Sequence, residues 1–453
     1  MASAPLSSYL TTLAGIVTLI TLIAFEAVAV STAMPVLTRE LNAVREIGFG
    51  FSVFIAAQLV GVVLSGSWCD TSGTRRPVTA GLVLFGGGQL ICGFAPTFAV
   101  LLAGRALAGG GAGLLVVAMY VVIADVFPTR LRPRVFSLTA GAWVVPGIVG
   151  PALAGWLAEE VTWRLVFLLV VPLAVPPALA LLPKLRSGPS HEPGDPSALT
   201  PSQVRRRAIC GVAVTAGVLG LQWGLARLGN GVVGGVVVVL ALLLVVAGFR
   251  PLVPRGTLLL RRGLPTVIAL RGLFAGMFFG AESFIPLMLI NQHGFAAGQA
   301  GLVLTGGIVG WTAGSYVQAR PWMRLPRHLL FVIGAVIIAA SLVSLTLLIQ
   351  PPVSGWLVLP LWAFCATGMG LSIASTGVLT LSYSEPGQEG RNSSALQLSD
   401  ALGAALGIGI TGAAFAAWHD PVGGDARLFT IMWLSAGGFG VLVALAGFRA
   451  RPA

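Results

Sequence analysis

Residues Gly66–Arg76 read GSWCDTSGTRR, a short polar stretch that ends in two arginines. An apolar run precedes it at 47–68 and another follows it at 77–95. The hydrocarbon core of a bilayer is about 30 Å thick, and a helix needs about 20 apolar residues to cross it. The stretch therefore predicts a tight turn between two membrane-spanning helices.

The composition extends this pattern to the whole chain. Of the 453 residues, 56% are hydrophobic and 9% are charged, whereas a soluble domain carries about 25% charged residues. Apolar runs of spanning length recur from Thr12 to Phe448, and the longest polar interval, 184–207, is too short for a soluble domain. Scattered Gly and Ala residues and the lack of strand-type alternation favour helices over a barrel. We expect an all-α polytopic membrane protein.

Fourteen spans are predicted, arranged as six plus two plus six. They lie at 12–36, 47–68, 77–95, 98–122, 136–158, 164–183, 208–226, 231–249, 265–290, 297–319, 328–349, 355–381, 393–418 and 428–449. The chain thus divides into an N-terminal six-helix bundle (1–186), a cytoplasmic linker with an inserted hairpin (187–262) and a C-terminal six-helix bundle (263–453). The inserted pair has almost no polar stripe, so we expect it to face lipid outside the two bundles.

The basic residues orient these spans. Twenty of the 27 Lys and Arg residues fall in one set of alternate connections and five fall in the other, while Arg105 and Arg271 lie within spans. An excess of basic residues marks the cytoplasmic side of a membrane protein. We expect a multi-pass protein of the cell inner (plasma) membrane, with both termini cytoplasmic, an uncleaved first span and a monomeric state.

Several classes of function are disfavoured. The net charge of +12 lies in short clusters between apolar runs and forms no continuous patch for nucleic acid. The four cysteines lack the spacing of a disulfide framework or a zinc site. We find no Walker loop and no nucleophile–base arrangement. We predict a protein that is not an enzyme and has no cofactor or metal, whose partners are membrane lipids, protons and a small-molecule or lipid substrate.

The stretch Gly66–Arg76 resembles the signature of the major facilitator superfamily, G-x-x-x-D-x-x-G-x-[RK]-[RK]. Its matching residues are Asp70, Gly73, Arg75 and Arg76. The resemblance implies two six-helix halves around a cavity near the midplane of the bilayer. It also implies that these residues latch neighbouring helix ends on the inner face and so control opening.

Two further features belong to this resemblance. Asp125, at the inner end of the fourth span, is the partner that the family implies for the latch. The offsets of the signature recur weakly at 314–318, where Gln318 replaces the acid and Arg320 follows. A degenerate second copy at the matching place in the second half indicates an internal repeat.

Motifs in the first and fourth spans narrow the branch of the family. Phe25–Pro35 reads FEAVAVSTAMP and resembles the first-span motif of drug–proton antiporters, L-D-x-T-x-x-N-x-A-L-P. Glu26 takes the place of Asp, Val28 that of Thr and Ser31 that of Asn. Arg105 begins a stretch, RALAG, that resembles the fourth-span motif R-x-x-x-G.

The fifth and sixth spans point to the same branch. Gly147, Gly150, Pro151 and Gly155 match the antiporter motif G-x-x-G-P-x-x-x-G, and the stretch from Trp163 resembles the sixth-span entry of the fourteen-span drug–proton antiporters. The resemblance implies proton-coupled export, or antiport, of an apolar or cationic compound such as a drug or a lipid. The alternatives are a proton-linked uptake symporter for a small nutrient and a non-transporting membrane receptor.

Charged residues inside the spans are the candidates for proton coupling, because a charge at mid-bilayer costs several kcal/mol. They are Glu26, Arg105, Glu282 and Asp400. Glu26 either takes up and releases protons or is hydrogen-bonded permanently between helices, and Arg105 either steers the proton or has a structural role. Glu282 is a second proton site, a counter-charge for the substrate or a residue near the outer rim. Arg271, close to the inner face, is expected to snorkel.

Overall fold

The computed structural model describes residues 9–128, 131, 135, 138–139, 141–188, 200–228, 232–318, 320, 323, 325–350, 353–385, 389–420 and 424–451. Within these residues every regular element is a helix. Thirteen of the described helical segments are long and apolar enough to cross a membrane. The predicted third span is helical as well, at Arg75–Gly93, but it is not among these thirteen. The chain is therefore an all-helical multi-pass protein, and the count of fourteen spans stays a prediction.

The first half contains the following helices: α1 (Leu10–Glu40), α2 (Ile47–Ser72), α3 (Arg75–Gly93), α4 (Phe98–Val126), α5 (Val144–Trp156), α6 (Arg164–Leu168) and α7 (Val170–Leu181). A π-helical turn, Leu157–Thr162, continues α5. The apolar side chains alone do not determine where these helices begin and end, because local capping interactions set the helix ends. The hydroxyl of Thr97 accepts a bond from the backbone N–H of Val100 and so caps α4. The start of the predicted fifth span lies outside the described residues.

The last part of the chain is helical as well. Its helices are α10 (Leu264–Glu282), α11 (Ile285–His293), α12 (Ala297–Gln318), α13 (Arg327–Leu345), α14 (Val358–Ser382), α15 (Glu389–Trp418) and α16 (Ala426–Gly447). Between the halves lie α8 (Pro201–Leu225) and α9 (Val232–Phe249). A capping box between Thr200 and Gln203, followed by Pro201, starts α8.

Small residues set the helix contacts in both halves. Gly109 and Gly113 of α4 lie against the backbone of α2, and Gly403 and Gly407 of α15 lie against the backbone of α10. Lipid tails are as apolar as leucine, so helices in a membrane associate by close backbone approach rather than by the hydrophobic effect. These glycines therefore decide which helices become neighbours.

The inserted pair lies closer to the bundles than its weak polarity predicts. α8 packs against both α2 and α15, and α9 packs mainly against α8. Gln222 of α8 is buried and hydrogen-bonds to Ser52 of α2, and the hydroxyl of Thr215 donates to the carbonyl of Ala56 across 2.8 Å. α9 keeps a long row of exposed Val and Leu side chains. The first helix of the pair thus bridges the two halves, while the second presents an apolar face to its surroundings.

Candidate functional site

Glu26 and Arg105 form a buried ion pair, called the first pair below. Glu26 lies near the middle of the 31-residue helix α1, and Arg105 reaches it from α4. Only 1% of the Glu26 side chain and 4% of the Arg105 side chain are exposed. Arg105 Nη1 donates to Glu26 Oε1, while its Nε donates to the carbonyl of Gly50 across 2.7 Å. The sequence predicted both residues, and the structure brings them together.

The hydrogen-bonding atoms of the first pair are not all satisfied. Glu26 Oε2 is buried without a hydrogen-bond partner among the described residues. The Arg105 guanidinium also lies over the ring of Phe54, 4.7 Å from its centroid, so it has a cation–π contact as well as its two bonds. A buried ion pair is stable only when hydrogen bonds satisfy its remaining atoms. Arg105 is therefore held by three contacts, to Glu26, Gly50 and Phe54, whereas Glu26 is held by its one bond to Arg105.

Arg271 and Asp400 form a second pair, which corrects the expectation that Arg271 snorkels. Arg271 Nε on α10 donates to Asp400 Oδ1 on α15 across 2.6 Å. Its Nη1 also reaches the carbonyl of Ile373 and the hydroxyl of Thr376 on α14, each at 3.3 Å. A carboxylate within reach is a better partner for a guanidinium than distant headgroups. The sequence signal for this pair was the presence of two oppositely charged residues, Arg271 and Asp400, within the spans of the second half.

Glu282 has no hydrogen bond or ion pair to any residue that the structure describes. It is the last residue of α10, and its side chain is partly accessible. The functional role of Glu282 therefore stays a prediction.

The signature turn is built around Gly73. Its φ is +76°, and a Cβ there would lie 2.5 Å from the carbonyl of Arg186, so only glycine fits. The same carbonyl accepts a bond from the backbone N–H of Arg75 at 3.1 Å. The side chains of Arg75 and Arg76 are exposed. This turn therefore holds the segment after α7 against the start of α3.

Asp125 has a partner that the family resemblance did not name. It forms an ion pair with Arg186 at 3.3 Å, across the gap between α4 and the segment after α7. The predicted contact with Asp70 cannot be placed, because the Asp70 side chain lies outside the described residues. The latch role of Asp70, Gly73, Arg75, Arg76 and Asp125 thus stays a prediction, with Arg186 added to it.

The antiporter-like motif of α5 lies where the two halves meet. A Cβ on Gly147 would lie 2.5 Å from Ile308 of α12, and Gly155 lies directly against Gly298 at the start of the same helix. Gly150 faces α1, where a Cβ would lie 3.6 Å from the ring of Phe25. Pro151 extends this surface, because its carbonyl oxygen lies next to Gly301 of α12. The motif therefore brings α5 close to one helix of its own half and to one helix of the other.

Polar contacts also join several helix ends. Arg39 of α1 donates to Asn291 of α11 across 2.7 Å, and Asn291 Nδ2 donates to Asp425 at 3.3 Å. Asp425 also bonds to His419 Nδ1 at 2.8 Å. The Glu159 carboxylate accepts a bond from the backbone N–H of Ala297, at the positive end of α12. Nothing in the sequence pattern singled out these residues, since each lies at or near the end of a predicted span.

These features define a class of protein: an all-helical membrane protein with two ion pairs within its spans, one sealed and one partly accessible. The profile of the Major Facilitator Superfamily matches residues 15–408. The chain belongs to the Major Facilitator Superfamily. Membership implies a transporter rather than an enzyme, in agreement with the sequence prediction.

Several relatives of the chain are named as efflux pumps. The chain is 24% identical over 421 residues to the multidrug efflux pump SdrM of Staphylococcus aureus, covering 89% of this chain and 90% of that protein. It is 32% identical over 164 residues to the efflux pump aflT of Aspergillus parasiticus, covering 36% of this chain and 32% of that protein. The chain thus spans about a third or less of the first curated relatives it matches.

Solved structures share the fold. A crystal structure of the peptide transporter POT in complex with sulfate has a TM-score of 0.68 to this chain, with 16% sequence identity. The match covers 96% of this chain and 93% of that one. At this identity the likeness concerns the fold alone.

Proposed function

We propose that this protein is a proton-coupled exporter that exchanges inward-moving protons for an outgoing apolar or cationic compound, such as a drug or a lipid. It acts as a monomer in the cell inner membrane, with both termini in the cytoplasm. The observation that carries the proposal is the first pair, a carboxylate and a guanidinium sealed in the middle of the bundle. The names of the efflux relatives and the motif of α5 support export.

The first pair offers a physical mechanism for coupling. When Glu26 takes up a proton, its Coulomb attraction to Arg105 disappears, and in a low-dielectric interior that attraction is large. Arg105 does not become unpaired, because the Gly50 carbonyl and the Phe54 ring still hold it. Protonation therefore weakens the hold of α1 on α4 and leaves the charge of Arg105 stabilised only by the Gly50 carbonyl and the Phe54 ring.

The position of α1 transmits this change. α1 contacts α5 of its own half and α12 of the other half, and Thr32 of α1 lies against Gly301 of α12. A helix that changes its hold on α4 thus acts on the surface where the halves meet. Two arrangements of close energy, selected by the protonation state of Glu26, are the requirement for coupled transport.

A flux experiment tests the proposal. The purified protein is reconstituted in vesicles with an acidic lumen and a pH-sensitive dye, and diverse compounds, including lipids, are added outside. We expect an active compound to enter the vesicles as protons leave, so the lumen becomes more alkaline. Symport would instead carry the compound and protons in the same direction, and a receptor would give no flux with any compound. Either result would contradict the proposal.

A further inference from the structure

The connection between α9 and α10 carries arginines and no acid. Residues 250–262 read RPLVPRGTLLLRR, and no acidic residue lies between Asp195 and Glu282. Each basic side chain of the connection is exposed and forms no ion pair with a described residue, as holds for Arg250, Arg255, Arg261 and Arg262. The described part of the chain therefore supplies no counter-charge for these cations.

Backbone bonds give this connection a defined shape. The N–H groups of Leu259 and Arg261 both donate to the carbonyl of Gly256, each across 3.1 Å. Gly256 has a φ of +92°, and a Cβ there would lie 2.5 Å from the side chain of Arg261. The turn therefore packs Arg261 against the residue that directly follows Arg255, and it brings two stretches of positive charge together.

The end of α16 joins the same surface. The N–H of Gly263 donates to the carbonyl of Arg449 across 3.1 Å, so the backbone beside Arg262 lies against Arg449. The side chain of Arg449 is exposed, as is that of Phe448 before it. The segments that contain α9, α10 and α16 are all long and apolar enough to cross a membrane. The place where their ends meet therefore lies at an interface between membrane and water.

Two leucines are exposed between these arginines. Leu258 and Leu259 lie in the 3₁₀ turn Thr257–Leu259, where 48% of Leu258 and 70% of Leu259 are exposed. The next residue, Leu260, packs against the buried core instead. At a membrane interface, apolar side chains reach the acyl chains while cations attract the anionic headgroups. Exposed leucines between exposed arginines thus suit both parts of an anionic lipid.

We propose that this surface, called the arginine–leucine patch, binds anionic phospholipid; it consists of Arg255, Leu258, Leu259, Arg261, Arg262 and Arg449. The guanidinium groups bind the phosphate, whose oxygens match their paired donors, and the leucines contact the acyl chains. Free phosphate would leave the leucines in water, which favours a lipid. The inference goes beyond the proposed function, because lipid binding at this edge requires neither a substrate nor a proton gradient.

Equilibrium binding to the purified protein in an uncharged detergent tests the patch. The probes are phosphatidylglycerol and phosphatidylcholine with the same acyl chains. We expect the parent to prefer phosphatidylglycerol at least about ten-fold, since each arginine near an anionic lipid surface contributes about five-fold. The triple variant Arg255→Gln, Arg261→Gln and Arg262→Gln should remove this preference. Leu259→Ser should weaken the binding of both lipids several-fold, because it removes a contact with the acyl chains.

Matched controls separate the patch from net charge and from exposed leucine in general. Arg205→Gln, Arg206→Gln and Arg207→Gln together remove the same charge from the start of α8, and most of the preference should remain. Leu347→Ser changes a leucine that is 73% exposed in another Thr-Leu-Leu turn, Thr346–Leu348, and should bind like the parent. Thermal unfolding without lipid checks that each variant is folded.

Several outcomes would refute the patch. One is a parent that binds the two lipids equally, and another is a folded Arg255, Arg261 and Arg262 triple variant that keeps the preference. Equal loss in the two arginine triples would show a response to net charge alone. Inorganic phosphate should displace the lipid no better than chloride at equal ionic strength. Stronger displacement by phosphate would assign the patch to the free anion instead of a lipid.

Discussion

Arg271 and Asp400 join α10 to α15 across 2.6 Å, as Glu26 and Arg105 join α1 to α4. The first helix of each half contributes one partner, but the sign is reversed: α1 carries the acid and α10 the base. The exposure also differs, since 14% of the Arg271 side chain and 25% of the Asp400 side chain are accessible. Water or a solute can therefore reach the second pair in this conformation, whereas the first pair is sealed.

Glu26→Gln should abolish gradient-driven export while the protein still folds. The glutamine oxygen can accept the Arg105 bond, but the side chain can no longer exchange a proton. Glu26→Asp, which restores the acid of the family motif, should retain partial activity. Vesicle transport under an imposed pH gradient measures both, with Glu40→Gln as the control. Parent-like export by Glu26→Gln would exclude the coupling role.

Asp400→Asn should destabilise the second half. The substitution replaces a charge-assisted bond by a neutral one and leaves Arg271 without its counter-charge, which costs about 1–3 kcal/mol. Thermal unfolding of the purified protein measures the loss. Arg271→Gln combined with Asp400→Asn should cost less than the two single changes added together. Additive losses would show that the two side chains do not interact.

Gly155→Val should prevent the halves from closing at the α5–α12 contact. A side chain there would collide with the backbone of Gly298, and backbone cannot move aside as a flexible side chain can. We expect transport to fall at least about ten-fold, since a loss near 1.4 kcal/mol is already ten-fold in an equilibrium. Gly438→Val is the matched control, because a Cβ at Gly438 meets nothing within 4 Å. Equal transport in the two variants would contradict the role of the contact.

Asp125→Asn should shift the protein towards states that are open on the inner face. The pair with Arg186 is partly exposed, so its contribution is about 0.2–1 kcal/mol, and the shift should be at most about five-fold. Spin-label distances between the inner ends of α4 and α14 measure the populations. Asp70→Asn tests the predicted latch residue in the same way. Unchanged distances and transport in both variants would show that these residues serve only to orient the protein in the membrane.

The inserted pair should matter more for stability than for substrate choice. Replacing 200–250 by a flexible cytoplasmic linker removes α8 from α2 and α15 and exposes the apolar residues beneath it. We expect a lower unfolding temperature and reduced transport, with unchanged preference among compounds. Gln222→Ala, which removes only the buried bond to Ser52, should cost about 1–3 kcal/mol. A change in compound preference after the replacement would place these helices in the substrate site.

The sequence by itself determined the class of this protein. Spanning runs, the basic clusters and the stretch Gly66–Arg76 depend on residue type and order along the chain, because the bilayer imposes the same length and polarity on every span. The family resemblance identified both Glu26 and Arg105 as candidate functional residues, and the profile match confirms the family. The fourteen-span branch, the orientation and the proton coupling stay predictions.

Only the tertiary structure decided which charges are neighbours. Arg271 was expected to reach the inner interface but bonds to Asp400. Asp125 pairs with Arg186, while its predicted contact with the signature turn stays a prediction. Partners of this kind lie on helices far apart in sequence, and their distance depends on which glycine faces let two backbones approach. The same reason left Glu282 without a hydrogen bond or ion pair in the described part of the chain: neighbours across helices are set by packing, which no local pattern encodes.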